Sequence, residues 1–274
     1  MQWQPANVGW SDHAFDEHHH GRDRARVSDP GPAGYGDRMA AIYDRYVDPT
    51  VGATTQSAVD FLARLVGSGR ALELGVGTGR IALPLAERGV QVHGVDASAA
   101  MLDRLRSKPG GERISVTVGD FADVPVEGQF DLVYVVFNTL FALLEQTDQV
   151  RCFANVASHL AQNGAFVVEA FVPDPTLYDR GQRVSAVRVE ADRVQLDASR
   201  IDPVTQRVTS QHILIGADGI MLLPVELRYA WPSELDLMAR LAGLQLRERH
   251  AGWLREPFTA TSPNHVSVYA PASA

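Results

Sequence analysis

ALELGVGTGRIALPLAERG, spanning Ala71 to Gly89, passes from a short apolar strand into three closely spaced glycines and then straight into a helix. Glycine tolerates positive φ and leaves the backbone bare, so Gly75, Gly77 and Gly79 make a turn that a ligand can approach closely. The first N–H groups of the following helix have no partner inside it, and they sit at the positive end of its dipole. Such a turn suits an anionic or polar ligand. A plain tight turn is the alternative, and the preceding Glu73 together with the following helix weighs against it.

Spacing narrows the ligand. A dinucleotide-binding turn carries its third glycine three residues after the second, where the pyrophosphate meets the helix and the helix packs on the strand. Here that position is Arg80. The glycines instead run G-x-G-x-G with Glu73 two residues ahead, and the stretch resembles the first motif of class I S-adenosylmethionine-dependent methyltransferases. The resemblance continues downstream. Val90 to Val95 reads as a second apolar strand that ends in Asp96 and Ala97, about twenty residues past Gly75. A carboxylate there can accept both hydroxyls of a ribose, a property shared with nicotinamide-binding proteins.

Ile114 to Val118 reads as a third strand ending in Gly119-Asp120-Phe121, and in the methyltransferase family an acid at this point holds the adenine amino group. A fourth strand, Phe130 to Phe137, opens into Asn138-Thr139-Leu140, where the family places residues beside the methyl group and the acceptor. Singly, an Asp or Asn after a strand is a common turn or cap residue. Together, in this order, the landmarks imply S-adenosyl-L-methionine as cofactor. The resemblance assigns it to Tyr43, Glu73, Gly75, Gly77, Gly79, Asp96, Ala97, Asp120, Phe121 and Asn138. Tyr35 and the Tyr43-Asp44 pair resemble positions that close over the methionine end in aminosugar N-methyltransferases; packing in the core is the equal alternative.

Composition sets the partners. The chain of 274 residues has a net charge of −8 and no basic stripe, whereas a protein that tracks nucleic acid must displace counterions from phosphates. Phe137-Asn138-Thr139-Leu140 also lacks the prolines of the Asn-Pro-Pro-Tyr type motif carried by adenine-specific DNA enzymes. A small-molecule acceptor fits better. The single cysteine, Cys152, can form no internal disulfide, and neither a signal peptide nor an apolar span is evident, so a cytoplasmic protein is expected. His18-His19-His20 lacks further spaced ligands and reads as a solvated tail, with no metal site expected. Residues 1–34 read as a mobile arm, in which Trp3 and Trp10 are candidates for a lid.

Helical stretches over 37–46 and 54–66 are expected to precede the first strand, with Ala58, Phe61, Leu62 and Leu65 at helical spacing against a sheet. Strands and helices then alternate to residue 173, which predicts an α/β, Rossmann-like sheet with helices on both faces. The helix over 149–160 is expected to bury Val150, Phe153, Ala157 and Leu160, and Asn163-Gly164 to stop it. Residues 183–230 break the alternation into four strands joined by short turns, an antiparallel insertion after the fifth strand within a methyltransferase domain over 35–272. A helix from Pro232 and two final strands complete the sheet. Insertions here overhang the ligand crevice, so the meander is the candidate substrate cover.

This architecture resembles glycine N-methyltransferase and, more closely, dTDP-aminosugar N-methyltransferases, which makes an amine nitrogen the expected methyl acceptor. O- or C-methylation, or attack at another carbon of the sulfonium, stay open as alternatives. Methyl transfer creates no oxyanion, so position dominates, worth about 7–11 kcal/mol of the barrier. An amine must also arrive neutral. The base candidates are His212, on the strand face of Val208 and Leu214, then Glu169 near the end of the fifth strand, with Tyr229 and His250 behind them; Asn138 is a further catalytic candidate. A homodimer through the insertion is one reading, and a solvated outer face bearing Arg188, Glu190 and Arg193 is the other.

Overall fold

Val, Leu and Ile fill the predicted strands almost continuously, and such strands need both faces covered. The computed structural model describes residues 33–217 and 219–272, and of residues 45–53 only the backbone. It builds one sheet from β1 (Arg70–Leu74), β2 (Gln91–Asp96), β3 (Ser115–Val118), β4 (Phe130–Val135), β5 (Leu160–Phe171), β10 (Leu244–His250) and β11 (Asn264–Pro271). Their order is β10-β11-β5-β4-β1-β2-β3. The pairs among β1 to β5 are parallel, and β11 runs antiparallel between β5 and β10. Strand order reverses between β1 and β4, so a crevice opens at their carboxyl ends.

Helices α1 (Gly34–Met39), α2 (Tyr43–Val66), α3 (Ala82–Glu87), α4 (Ala99–Arg106), α5 (Gln146–His159) and α6 (Pro232–Leu241) flank the sheets. Phe61, Leu62, Leu85, Leu102 and Leu105 pack with Leu132, Tyr134 and Val167 in one buried layer. Phe141, Phe153, Val156, Leu235 and Met238 pack with Leu72, Val133 and Phe166 in the other. Between β5 and α6 the chain forms a separate antiparallel sheet of β6 (Gln182–Val189), β7 (Arg193–Asp202), β8 (Arg207–Gly216) and β9 (Gly219–Arg228), in that order. Among the described residues no helix is long and apolar enough to cross a membrane.

Three boundaries differ from expectation. The helical stretches expected over 37–46 and 54–66 are divided elsewhere, because α1 ends at Met39 and α2 runs from Tyr43 to Val66 as one helix of 24 residues, anchored downstream by the buried Ala58, Phe61 and Leu62. α5 buries Gln149, Cys152, Phe153 and Val156, while Val150 and Ala157 are only partly covered. Gln149 can take a core position because its amide donates to the carbonyls of Leu143 and Arg228 at 3.1 and 2.8 Å. Leu160 has already left the helix and pairs with Phe130. Residues 1–32, with His18, His19, His20, Trp3 and Trp10, lie outside the described residues, whereas Gly34 already belongs to α1.

Candidate cofactor and acceptor site

The glycine turn is held open by its own backbone. Gly75, Gly77 and Gly79 have φ of +71°, +54° and +83°, values that any side chain would strain. The Gly75 and Val76 N–H groups donate to Val95 O at 2.8 and 3.0 Å, which fixes the turn to the end of β2. A Cβ on Gly75 would lie 2.4 Å from Thr139 Cγ2, whereas over Gly77 it would meet nothing within 4 Å. The turn is therefore tight against the β4 loop and open above Gly77.

Asp96 locks the same turn from the other side. Gly77 N–H donates to its Oδ2 at 2.8 Å and Ser98 N–H to its Oδ1 at 2.9 Å. Burial pushes its carboxyl above the ordinary range despite those bonds. Ser98 Oγ donates to Asp37 Oδ1 at 2.6 Å, which pins α1 beside Asp96, and Ala97 lies between the two loop residues. Asp120 lies two residues past the end of the neighbouring β3, where Gly119 N–H donates to Asp96 O at 3.0 Å and Ala122 N–H to Asp120 Oδ1 at 2.8 Å. Phe121 is 8% exposed, with its ring in the core.

Glu73 lies beneath the turn, fully enclosed. Burial pushes its carboxyl up to about 8, against the opposing hydrogen bond from Tyr134 Oη at 3.0 Å and the attraction of Arg80. Tyr43 shares this environment: burial raises its phenol, and Arg80, Glu73 and Asp96 all act on it. Next to it, Asp44 accepts from Thr78 Oγ1 at 2.6 Å and Lys108 Nζ at 2.8 Å, tying α2 to the turn.

At the carboxyl ends of β4 and β5 a cavity of about 180 Å³ is lined by Thr54, Arg80, Phe137, Asn138, Glu169, Trp253 and Asn264. Phe137 and Asn138 have φ of +59° and +64°, consecutive left-handed residues of the kind that cost about 1–3 kcal/mol each and concentrate at functional sites. Side chains hold them there. Phe137 N–H donates to Glu169 Oε2 at 2.9 Å, and Asn138 Oδ1 accepts Phe171 N–H at 2.7 Å. Glu169 Oε1 accepts the Trp253 indole N–H at 3.0 Å, and burial raises the carboxyl above its usual value. Arg80 donates to Thr55 Oγ1 at 3.0 Å and stacks 5.3 Å from the Phe137 ring centre.

The structure thus gathers Tyr43, Glu73, Gly75, Gly77 and Asp96 around the turn and places Asn138 and Glu169 together at the cavity. His212 is elsewhere, on β8, where its ring bonds to Asp197 of β7. Tyr229 is 1% exposed in the core beside Leu235, so its phenol lies in packing rather than at the cavity. His250 packs edge-on against Phe61, which also meets Trp253. Arg80, Thr54, Trp253 and Asn264 were missed from the sequence. Arg80 carried a usable signal, since a long cation directly after Gly79 must lie beside the turn.

A family described as a methyltransferase domain matches residues 71–164. The chain is 31% identical to the cypemycin N-terminal methyltransferase of a Streptomyces species over 200 residues, 72% of this chain and 81% of that protein. The CcbJ methyltransferase from Streptomyces caelestis superposes with a TM-score of 0.82 at 42% identity, over 87% of this chain and 98% of that one. CalS10, an amino pentose methyltransferase from Micromonospora echinaspora, superposes at 0.62 with 21% identity over 84% and 96% of the two chains, a likeness of fold.

Proposed function

The chain belongs to the S-adenosylmethionine-dependent methyltransferases, and from that premise we propose that it methylates an amine nitrogen of a small natural-product-type molecule. Gly75, Gly77, Gly79, Asp96 and Asp120 hold the cofactor, with Glu73 and Tyr43 shaping the floor and side of its site. The fit is physical: bare backbone faces open space at Gly77, and two carboxylates stand at adjacent strand ends for a ribose and an adenine. Asp96→Ala is expected to weaken S-adenosylmethionine binding at least tenfold in calorimetry, about 1.4 kcal/mol. Unchanged affinity would remove Asp96 from the site.

The observation that carries the amine reading is Glu169, a buried carboxyl lining the cavity next to the strained Asn138. The cofactor supplies, when bound, a methyl carbon activated on a cationic sulfur. That methyl group would pass to the lone pair of the acceptor nitrogen, the electrons of the broken C–S bond remaining with sulfur. The nitrogen must shed a proton, and Glu169 is the group placed to receive it. Two N–H donors orient both of its oxygens, while enclosure keeps its affinity for a proton above that of a surface carboxylate. The relative named for N-terminal methylation supports nitrogen as the acceptor.

Glu169→Gln is expected to lower kcat about 100-fold and to leave cofactor affinity unchanged, the scale of a lost general base. Wild-type activity should rise with pH through a value above the ordinary carboxylate range, and the variant should lose that limb. A second reading rests on the Asp197–His212 pair of the inserted sheet, since a carboxylate that orients a histidine is a recognised base assembly. His212→Asn lowering kcat about 100-fold, with Glu169→Gln retaining activity, would transfer the role to His212.

A further inference from the structure

Arg80 follows Gly79 directly and lines the cavity with Asn138, Glu169 and Trp253, so its guanidinium stands where the glycine turn meets that space. Its neighbours fix it there. Nη1 donates to Thr55 Oγ1 at 3.0 Å, and the group lies over the Phe137 ring. The side chain is half-buried, yet among the described residues its Nε and Nη2 have no hydrogen-bond partner and no carboxylate reaches ion-pair distance.

The carboxyls that Arg80 attracts are engaged by other donors. Glu73 accepts from Tyr134 Oη at 3.0 Å, and Glu169 accepts from the Phe137 N–H and the Trp253 indole. Burial pushes Glu73 up to about 8, so near neutral pH it is largely protonated and offsets little of the guanidinium's charge. A cation drawn out of water costs free energy until a counter-charge and hydrogen-bond acceptors replace its hydration. One edge of the guanidinium therefore borders the cavity with its donors unspent.

We propose that Arg80 is the carboxylate anchor of this cavity, its planar fork taking both oxygens of a ligand's carboxylate. The inference rests on the reading that the turn holds the cofactor and the cavity the acceptor. Two ligands bring a carboxylate to that junction: S-adenosylmethionine through its methionine end, and an acceptor that carries a carboxylate close to its amine. An acceptor of the second kind sets its carboxylate on Arg80 and its amine toward Glu169, which makes it an amino acid.

Binding to the full chain tests this without turnover, with millimolar acetate as the carboxylate probe, read by saturation-transfer NMR. Wild type loaded with methylthioadenosine, a nucleoside that lacks a carboxylate, should saturate acetate, and Arg80→Gln should lose the signal. Loading with S-adenosylmethionine then separates the two sources. A signal that survives beside S-adenosylmethionine assigns the anchor to the acceptor. A signal that it displaces, with calorimetry giving S-adenosylmethionine an advantage of about tenfold or more over its decarboxylated analogue that Arg80→Gln abolishes, assigns the anchor to the cofactor. Should Arg80→Gln fail to fold, Arg80→Lys takes its place and should weaken the same signals several-fold, since an ammonium lacks the fork. No acetate signal in methylthioadenosine-loaded wild type, or signals and cofactor preference unchanged in the variant, would overturn the proposal. Failure of Glu169 as the base shows instead in kcat and its pH limb, and absence of any nucleoside binding removes the cofactor reading and this anchor with it.

Discussion

Glu73→Gln is expected to remove roughly 3–4 kcal/mol of pH-dependent stability between pH 5 and pH 8 in the cofactor-free protein. Enclosure pushes the Glu73 carboxyl up to about 8, while in the unfolded chain it titrates near the ordinary 4.5. Between those values the folded protein holds a proton that the unfolded chain has lost. Stability must then fall as pH rises, with the contribution complete below about 4.5 and lost through about 8. Each unit of difference is worth about 1.4 kcal/mol. Glutamine cannot ionise and can still accept the Tyr134 hydroxyl, so its unfolding free energy should lose this slope. Urea melts of both proteins at pH 5, 6.5 and 8 read the effect directly. A gap between them that stays constant with pH would show that the wild-type carboxyl titrates normally.

Why a carboxyl stands there connects fold to site. Glu73 stands two residues ahead of the glycine turn, in a strand where Ala71, Leu72 and Leu74 are apolar and buried. Arg80 acts on Glu73, Glu169 and Tyr43 alike, so one guanidinium couples the turn's floor to the cavity at the ends of β4 and β5. Ionising Glu73 would change the field at both. The same melts repeated with saturating cofactor test this coupling, because differential binding to the two protonation states must appear as a change in slope.

The turn and its neighbours were legible in the sequence because they are local. Gly75 to Gly79, Asp96 and Asp120 are marked by strand ends and turn chemistry, and the four strands over 183–230 by period and hairpin residues. The cavity was legible only through Asn138 and Glu169 at their strand ends, since Thr54, Arg80, Trp253 and Asn264 come from separated stretches that only the sheet order brings to them. The helix face of α5 was misread by one step because Gln149, a polar residue, occupies a core position. Its justification is a hydrogen-bond partner 79 residues away, which leaves no periodic trace.

That partner makes the second large prediction: Arg228→Ala is expected to destabilise the protein by about 3–5 kcal/mol. Arg228 closes β9 and is 5% exposed. Its Nη1 donates to Gln149 Oε1 at 2.6 Å, and its Nη2 to Gln206 Oε1 at 2.7 Å and Glu234 Oε1 at 2.8 Å. One side chain thereby joins the inserted sheet, the β7–β8 turn, α5 and α6. Burial alone would raise the Glu234 carboxyl, but hydrogen bonds from Arg228, Gln206 and Gln146 hold it below its ordinary value. Removing the guanidinium leaves that carboxylate without its counter-charge and takes a donor from the buried Gln149 Oε1 and the half-buried Gln206 Oε1, which costs more than the pair itself contributes. For a chain of this size the melting temperature should fall by on the order of 10 °C. Arg228→Lys should recover only part, because an ammonium cannot reproduce the planar fork that reaches Gln149 and Glu234 together. Combining Arg228→Ala with Glu234→Gln should cost less than the sum of the single changes, since the second removes the charge that the first leaves unpaired. Additive losses would mean the two groups act independently. The joint also carries the inserted sheet; on the proposal that this sheet covers the acceptor and that the glycine turn holds the cofactor, Arg228→Ala at a temperature where it remains folded should raise KM for the acceptor and leave cofactor affinity unchanged.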